Sequence, residues 1–203
     1  VLKTVADAAR DAGVLLICDE IAVNFGRTGT LFAYTQADVA PDIICLGKAL
    51  TGGAINLAAT VSTSDVFGAF LSDDPDAALM HGPTYMANPL ACAAANASID
   101  LFETEPRLQQ ASAIEKQLER ELTPLAHVPG VVEIRVKGAV GAVQVFDLHN
   151  LDWLKAQFVD AGVWLRPFGN VIYTMPPLTV TPSELTSITS AMAEILPRWA
   201  ERK

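Results

Sequence analysis

Two residues in this 203-residue chain stand where an ordinary side chain would be awkward: Asp19 and Lys48. Val14-Leu15-Leu16-Ile17-Cys18 is an unbroken apolar run that stops at Asp19 and Glu20. Ile43 to Leu46 is a second run, and it stops at Gly47 and Lys48. Runs of this kind predict strands buried on both faces of a parallel sheet, and ligands of open α/β sheets bind beyond the carboxyl ends of such strands. A carboxylate or an ammonium there is costly to desolvate unless it has a counter-charge or a chemical task.

Pyridoxal phosphate would give both residues a task. A lysine amine condenses with its aldehyde, while a carboxylate across the ring pairs with the protonated pyridine nitrogen and makes the ring a better electron sink. A carboxylate about 4 Å from that cation gains roughly 4 kcal/mol at an effective dielectric of about 20. The lysine, once released and with its pKa lowered by burial, can carry a proton between substrate and cofactor carbons. Taken alone, the pair is explained more simply as two solvated or salt-bridged strand-end residues. The wording around them separates the two readings.

The elements that must hold these residues can be followed along the chain. A helical pattern is already running at Leu2, Val5, Ala6 and Ala9 before Gly13 ends it, which predicts a chain that begins inside a domain. A third strand is expected near Leu57 to Ser62, and short strands separated by helical or irregular segments suggest a parallel α/β layer. Asn88-Pro89 has the form of an N-cap and first-turn proline for an alanine-rich helix reaching about Glu103. From Pro106 the texture changes to that of a smaller α+β domain. An amphipathic helix carries Leu108, Ile114, Leu118 and Leu122, and strands follow near Val131 to Val136 and Gly141 to Phe146. A helix at Leu151 to Ala161, strands at Val163 to Arg166 and Val171 to Met175, and a last helix complete it. Thr181-Pro182-Ser183-Glu184 opens that last helix as a capping box.

Composition narrows the partners. With 51% hydrophobic and 18% charged residues the chain can bury a core. Its 14 Lys and Arg against 23 Asp and Glu, a net charge of −9, argue against nucleic acid and favour small-molecule substrates. The apolar runs are too short to cross a bilayer and no secretory pattern opens the chain, so no membrane partner and a cytoplasmic location are expected. Cys18, Cys45 and Cys92 sit among apolar neighbours without Cys-x-x-Cys spacing and are expected in the core, with no metal site. Asp73-Asp74-Pro75-Asp76 is expected to be a solvated loop.

The segment Asp19-Glu20-Ile21-Ala22-Val23-Asn24-Phe25-Gly26-Arg27-Thr28-Gly29 resembles the aspartate signature of the class III, or ω-amino acid, aminotransferases. Cys45-Leu46-Gly47-Lys48-Ala49-Leu50-Thr51-Gly52-Gly53 resembles the lysine segment of the same family, in the same order. Met80 to Asn96, Val163 to Gly169 and Val171 to Pro177 resemble one branch of it: the enzymes of biotin synthesis that move an amino group from S-adenosylmethionine to 8-amino-7-oxononanoate. Pro106 to Asp160 carries little family wording.

The resemblance implies the pyridoxal-phosphate-dependent transferase fold of type I, an α/β fold with a mainly parallel sheet. Residues 1–104 would then be the carboxyl-terminal part of the large cofactor-binding domain and 105–203 the small α+β domain. It implies that Lys48 bears the cofactor and Asp19 pairs with its ring nitrogen. Thr84, with Pro83 in the Gly82-Pro83-Thr84 turn, would bind the cofactor phosphate of a neighbouring subunit, making the active unit a homodimer. Arg166 would clamp the substrate carboxylate, Tyr173 would line the substrate site, and Gly82 would let ligand approach backbone. Blander roles stay open: Thr84 satisfying its own turn, Arg166 at the surface with a buried stem, Tyr173 as a core aromatic. His81 is read as structural, and Arg27 as tying its loop through a salt bridge. Asn24 stands where the family usually has glycine, and asparagine tolerates positive φ well enough for the loop to survive. The resemblance places the main phosphate-binding loop, and the aromatic that stacks on the cofactor ring, upstream of Val1. The chain alone is therefore expected to be inactive. Two other readings stay open: another class III aminotransferase or aminomutase acting on an ω-amino acid, and a non-catalytic fragment.

Overall fold

The computed structural model describes residues 1–202. They form two compact units: Val1–Phe25 with Thr30–Pro106, and Gly26–Gly29 with the chain from Arg107 onward.

In the first unit, α1 (Leu2–Asp11) precedes a sheet of β1 (Ile17–Asp19), β2 (Ile43–Leu46) and β3 (Ala59–Ser62), in that order. β1 and β2 run parallel, with Cys18 opposite Ile44 and Asp19 opposite Cys45. β3 is antiparallel to β2, where a parallel strand was expected. The intervening segment holds one 3-10 turn, Lys48–Thr51, instead of the crossover helix a parallel connection uses. The first strand is also shorter than its apolar run. Val14 and Leu15 precede it and are 60% and 56% exposed, so this run is not buried on both faces within the chain.

After the short helix α2 (Ser64–Gly68), the helix α3 (Pro89–Thr104) starts where expected. Asn88 Oδ1 accepts from the amides of Leu90 (2.9 Å) and Ala91 (3.4 Å), and Pro89 takes the first turn, where its missing N–H is no loss. The acidic loop contains a 3-10 turn at Pro75–Ala77, capped by Asp74. The core of this unit is Phe25, Leu46, Leu50 and Ala95, joined by Phe32 and Phe102. The Phe25 ring lies 6.0 Å from Phe32 and 5.8 Å from Phe102 in tilted packing.

The second unit is built on α4 (Arg107–Leu122), β4 (Val131–Lys137), β5 (Val140–Val145), α5 (Leu151–Asp160), β6 (Val171–Thr174) and α6 (Pro182–Ala200). Its three strands pair antiparallel in sequence order. Ile114, Leu118 and Leu122 of α4 pack with Val143, Val145, Phe158, Ile172, Met192, Leu196 and Trp199. Leu108, expected on the same stripe, is 37% exposed in the first turn of α4. The strand expected at Val163 to Arg166 is extended chain with no ladder. Val163 and Leu165 still alternate inward, so their pattern is satisfied by packing, and Pro167 has no amide with which to pair. The capping box of α6 is complete: Thr181 N donates to Glu184 Oε2 (2.8 Å) and Glu184 N donates to Thr181 Oγ1 (3.3 Å).

Cys18 is buried and Cys45 and Cys92 are half-buried, all as free thiols. Burial, with the nearby Glu20 charge, pushes the Cys18 thiol above its ordinary pKa. Among the described residues no helix is long and apolar enough to cross a membrane.

Candidate functional site

Strand pairing brings the ends of the two motif strands side by side. Asp19 closes β1 in register with Cys45, and Glu20 N donates to Cys45 O at 3.0 Å. Gly47 and Lys48 follow directly beyond Leu46, so the carboxylate and the amine leave the sheet from the same edge of adjacent parallel strands. Both residues are exposed. The Asp19 carboxylate is oriented by its own turn, since Ile21 N donates to Oδ1 at 2.9 Å. Ile21 lies against Gly47, where a Cβ would meet its methyl carbon at 3.4 Å. Sequence reasoning passed over Ile21; its place within the aspartate motif was the available signal.

Glu20 behaves differently from Asp19. It is 2% exposed, and its two oxygens accept from the amides of Ala33 (2.8 Å) and Tyr34 (2.7 Å), capping the 3-10 helix Ala33–Ala37. Alternation along an extended chain, from buried Cys18 through exposed Asp19, puts Glu20 inward. The adjacent carboxylates thus differ, Asp19 exposed and Glu20 holding the loop that follows.

That loop corrects two expectations. Asn24 does not take positive φ; Phe25 (47°) and Gly26 (80°) do. Asn24 is instead 2% exposed with its Nδ2 unpartnered among the described residues. Among the described residues, Arg27 ties the loop through backbone carbonyls and not through a carboxylate. Its guanidinium donates to Ala139 O (3.3 Å) and to Pro176 O, and burial lowers its pKa.

Lys48 has φ of 48°, left-handed for a residue with a Cβ, at the start of its 3-10 turn. It lines a cavity of about 460 Å³ with Thr51, Gly53, Ile55, Asn56, Leu57 and Ala58. Gly82, Pro83 and Thr84 lie on an exposed stretch with His81. Their turn is closed by Met86 N donating to Pro83 O (2.9 Å) and not by the Thr84 hydroxyl, which has no hydrogen bond among the described residues. The structure places none of these three in the Lys48 cavity.

Arg166 and Tyr173 border the same cavity in the second unit. Both line a cavity of about 720 Å³, with Trp164, Met175, Pro176 and Ile188 among its walls. Arg166 is exposed on the extended segment before Pro167, and Tyr173 is half-buried on β6. A guanidinium beside a phenol and apolar walls is suited to a carboxylate carried on a hydrocarbon chain.

Residues 1–196 match the family described as aminotransferase class-III. The chain belongs to the class-III aminotransferases. Among its class-III relatives, the adenosylmethionine-8-amino-7-oxononanoate aminotransferase of Mycobacterium leprae is 46% identical over 194 residues, covering 96% of this chain and 44% of the relative. The enzyme of the same name from Buchnera aphidicola (subsp. Schizaphis graminum) is 44% identical over 195 residues, 96% of this chain and 45% of the relative. In three dimensions, the crystal structure of the adenosylmethionine-8-amino-7-oxononanoate aminotransferase from Methanocaldococcus jannaschii superposes with a TM-score of 0.90 at 31% identity, covering 97% of this chain and 49% of that one. A PLP-bound amine transaminase from an uncultivated Pseudomonas species gives 0.87 at 34% identity, over 96% and 47%. The fold of this class-III chain is therefore that of the pyridoxal-phosphate-dependent aminotransferases, type I. The chain spans about half the length of the relatives it matches.

Proposed function

We propose that this chain provides the lysine- and aspartate-bearing part of a transaminase that moves an amino group from S-adenosylmethionine to 8-amino-7-oxononanoate, giving 7,8-diaminononanoate for biotin synthesis. The observation that carries the reading is the register of β1 and β2, which sets Asp19 and Lys48 at the same edge of neighbouring parallel strands. The relatives that share 44–46% identity, all bearing one enzyme name, support the choice of substrates.

The donor set fits pyridoxal phosphate: an amine for its aldehyde, a carboxylate for its ring nitrogen, and an aliphatic side chain, Ile21 of the aspartate motif, lying against Gly47 of the lysine motif. When bound, the cofactor supplies an electron sink that stabilises a carbanion at the substrate carbon. The chain's own residues do the rest. Asp19, its carboxylate fixed by the Ile21 amide, holds the positive charge on the pyridine nitrogen. Lys48 holds the cofactor covalently and, when released, moves the proton at its Nζ. Arg166 binds the substrate carboxylate and Tyr173 shapes the wall beside it. Amino donor and acceptor use the site in turn, so the kinetics are ping-pong.

The remaining assignments belong to the same proposal. Residues 1–104 are read as the end of a large cofactor-binding domain and 105–203 as the small domain. Thr84, with its hydroxyl and amide unspent on its own turn, serves the cofactor phosphate of a second subunit in a homodimer, with Pro83 and Gly82 shaping that approach. The enzyme works in the cytoplasm on small molecules.

The test is chemical trapping. The natural protein containing this sequence is mixed with pyridoxal phosphate, reduced with borohydride, digested and mapped by mass spectrometry. The adduct is expected on Lys48 and absent in Lys48→Ala. An unmodified Lys48 in the wild type overturns the proposal. Amine transaminases at similar identity share the fold, so a substrate assay decides the branch. Turnover of a small ω-amino acid without turnover of 8-amino-7-oxononanoate removes the biotin reading.

A further inference from the structure

We propose that Ser98, on α3, is a positioning residue for the reactive lysine, a role that deepens and rests on the assignment of Lys48 above. Lys48 sits in the left-handed region, which a side chain with a Cβ keeps only where its surroundings over-determine the backbone. The turn that follows is held by local bonds: Leu50 N to Gly47 O (3.1 Å) and Gly52 N to Ala49 O (3.0 Å). Thr51 Oγ1 donates to Ile55 O at 2.6 Å. All of these move with the turn itself. Ser98 does not: its Oγ donates to Ala49 O at 3.1 Å from a helix 49 residues away in sequence. It anchors the Ala49–Leu50 peptide, one residue beyond Lys48, to a separate helix.

The composition of α3 supports the role. Ala91, Ala95 and Ser98 fall on one face and are all buried, so small side chains bring the helix backbone close to the lysine turn. A Cβ at Gly52 would lie 3.7 Å from Ser98 Oγ, so the hydroxyl faces the turn's far end across the space that glycine leaves. Packing alone is met by alanine at the other two positions. The hydroxyl at position 98, 8% exposed, is the exception, and its bond goes across to Ala49 O. By fixing the Ala49 carbonyl, one residue past Lys48, Ser98 limits how the turn carrying the Nζ atom can shift, and a restricted amine meets the reacting carbon more often.

The experiment uses the natural protein containing this sequence, loaded with pyridoxal phosphate, as wild type, Ser98→Ala, Ser98→Cys and Ser98→Thr. Four readouts are taken: kcat and KM, the pH midpoint of the visible absorbance of the Lys48-bound cofactor, borohydride trapping at Lys48, and Tm without cofactor. Loss of the one hydrogen bond is expected to lower kcat about fivefold in the alanine variant with KM within about twofold, and to move the pH midpoint by about half a unit. Threonine, which keeps the hydroxyl, restores most of both; cysteine, nearly the same size with a weak donor, follows alanine and serves the test should alanine fail to fold. If alanine and cysteine lower Tm but leave kcat and midpoint unchanged, Ser98 is a structural residue only and the inference is overturned. The same holds if threonine folds but restores neither. Absence of any wild-type adduct on Lys48 removes the functional assignment and this inference together, whereas a wild-type adduct with an unaltered alanine profile removes the inference alone.

Discussion

Replacing Gly138 by alanine tests how firmly the end of the aspartate motif, Arg27 to Gly29, is held. Gly138 has φ of 55°, and a Cβ there would lie 2.4 Å from Gly29 N, 2.5 Å from Thr28 C and 2.7 Å from Arg27 O. These are backbone atoms, so no rotamer change relieves the clash; the loop must retreat by about 1 Å to reach ordinary contact. Positive φ for alanine costs about 1 kcal/mol. Retreat also breaks the bond from Ala139 N to Arg27 O (3.0 Å), worth about 1 kcal/mol. It pulls the half-buried Arg27 from its two carbonyl partners, at about 1–3 kcal/mol for a charged donor. The expected loss is about 3–5 kcal/mol. Urea denaturation followed by circular dichroism, with indole fluorescence from Trp153, Trp164 and Trp199, all in this unit, measures it. Gly162→Ala is the control: it has φ of 74° and nothing within 4 Å of a Cβ, so it should lose only the backbone term. If the two variants lose the same stability, the segment yields freely and the argument that Gly138 is set by close approach is wrong.

Two further outcomes follow from buried polar groups. Burial raises the pKa of the Glu121 carboxyl, but bonds from Thr189, Arg120, Thr186 and Gln117 outweigh it and hold the group below the ordinary value of 4.5. A depressed folded-state pKa gives stability that is present above about 4.5 and lost as pH falls through the folded value. Thr189→Val removes the 2.6 Å bond and should cost about 1.5–3 kcal/mol at neutral pH while flattening that acid limb; an unchanged pH profile would show Glu121 to be a bystander. Asn24→Ala deletes an Nδ2 that has no partner among the described residues, so it should change stability by less than about 1 kcal/mol, against about 2–5 kcal/mol for Leu118→Ala in the second unit's core. A loss above about 2 kcal/mol in Asn24→Ala would reveal a partner for Nδ2 that the folded chain does not show.

What the sequence made legible was local chemistry with one solution. The caps at Asn88 and Thr181 each combine an acceptor with a proline at the next position, and both appear as hydrogen bonds in the structure. The carboxyl ends of β1 and β2 were legible because each apolar run stops at a charged or glycine residue where the strand ends, although β1 starts later than its run. The misses arose where a pattern had two ways of being satisfied. Val163 and Leu165 alternate as a strand does, yet alternation asks only for inward packing, and Pro167 leaves the segment without an amide for a ladder. Asn24 was weighed as a backbone problem, whereas its neighbours Phe25 and Gly26 take the left-handed turn and the cost falls on its side-chain amide.

The candidate site shows the same division more sharply. Asp19 and Glu20 are alike in type, and type alone cannot say which carboxylate stays exposed. The strand decides, because a period of two beginning at buried Cys18 leaves Asp19 outward and turns Glu20 to cap Ala33 and Tyr34. Ser98 was hidden for the opposite reason: its partner lies 49 residues away, and no local pattern in an alanine-rich helix distinguishes a hydroxyl that packs from one that anchors a distant carbonyl. Residues that touch the reacting atoms are written into short motifs because their chemistry fixes their type. Residues that aim them are fixed only by distance, so they become visible when the chain is folded.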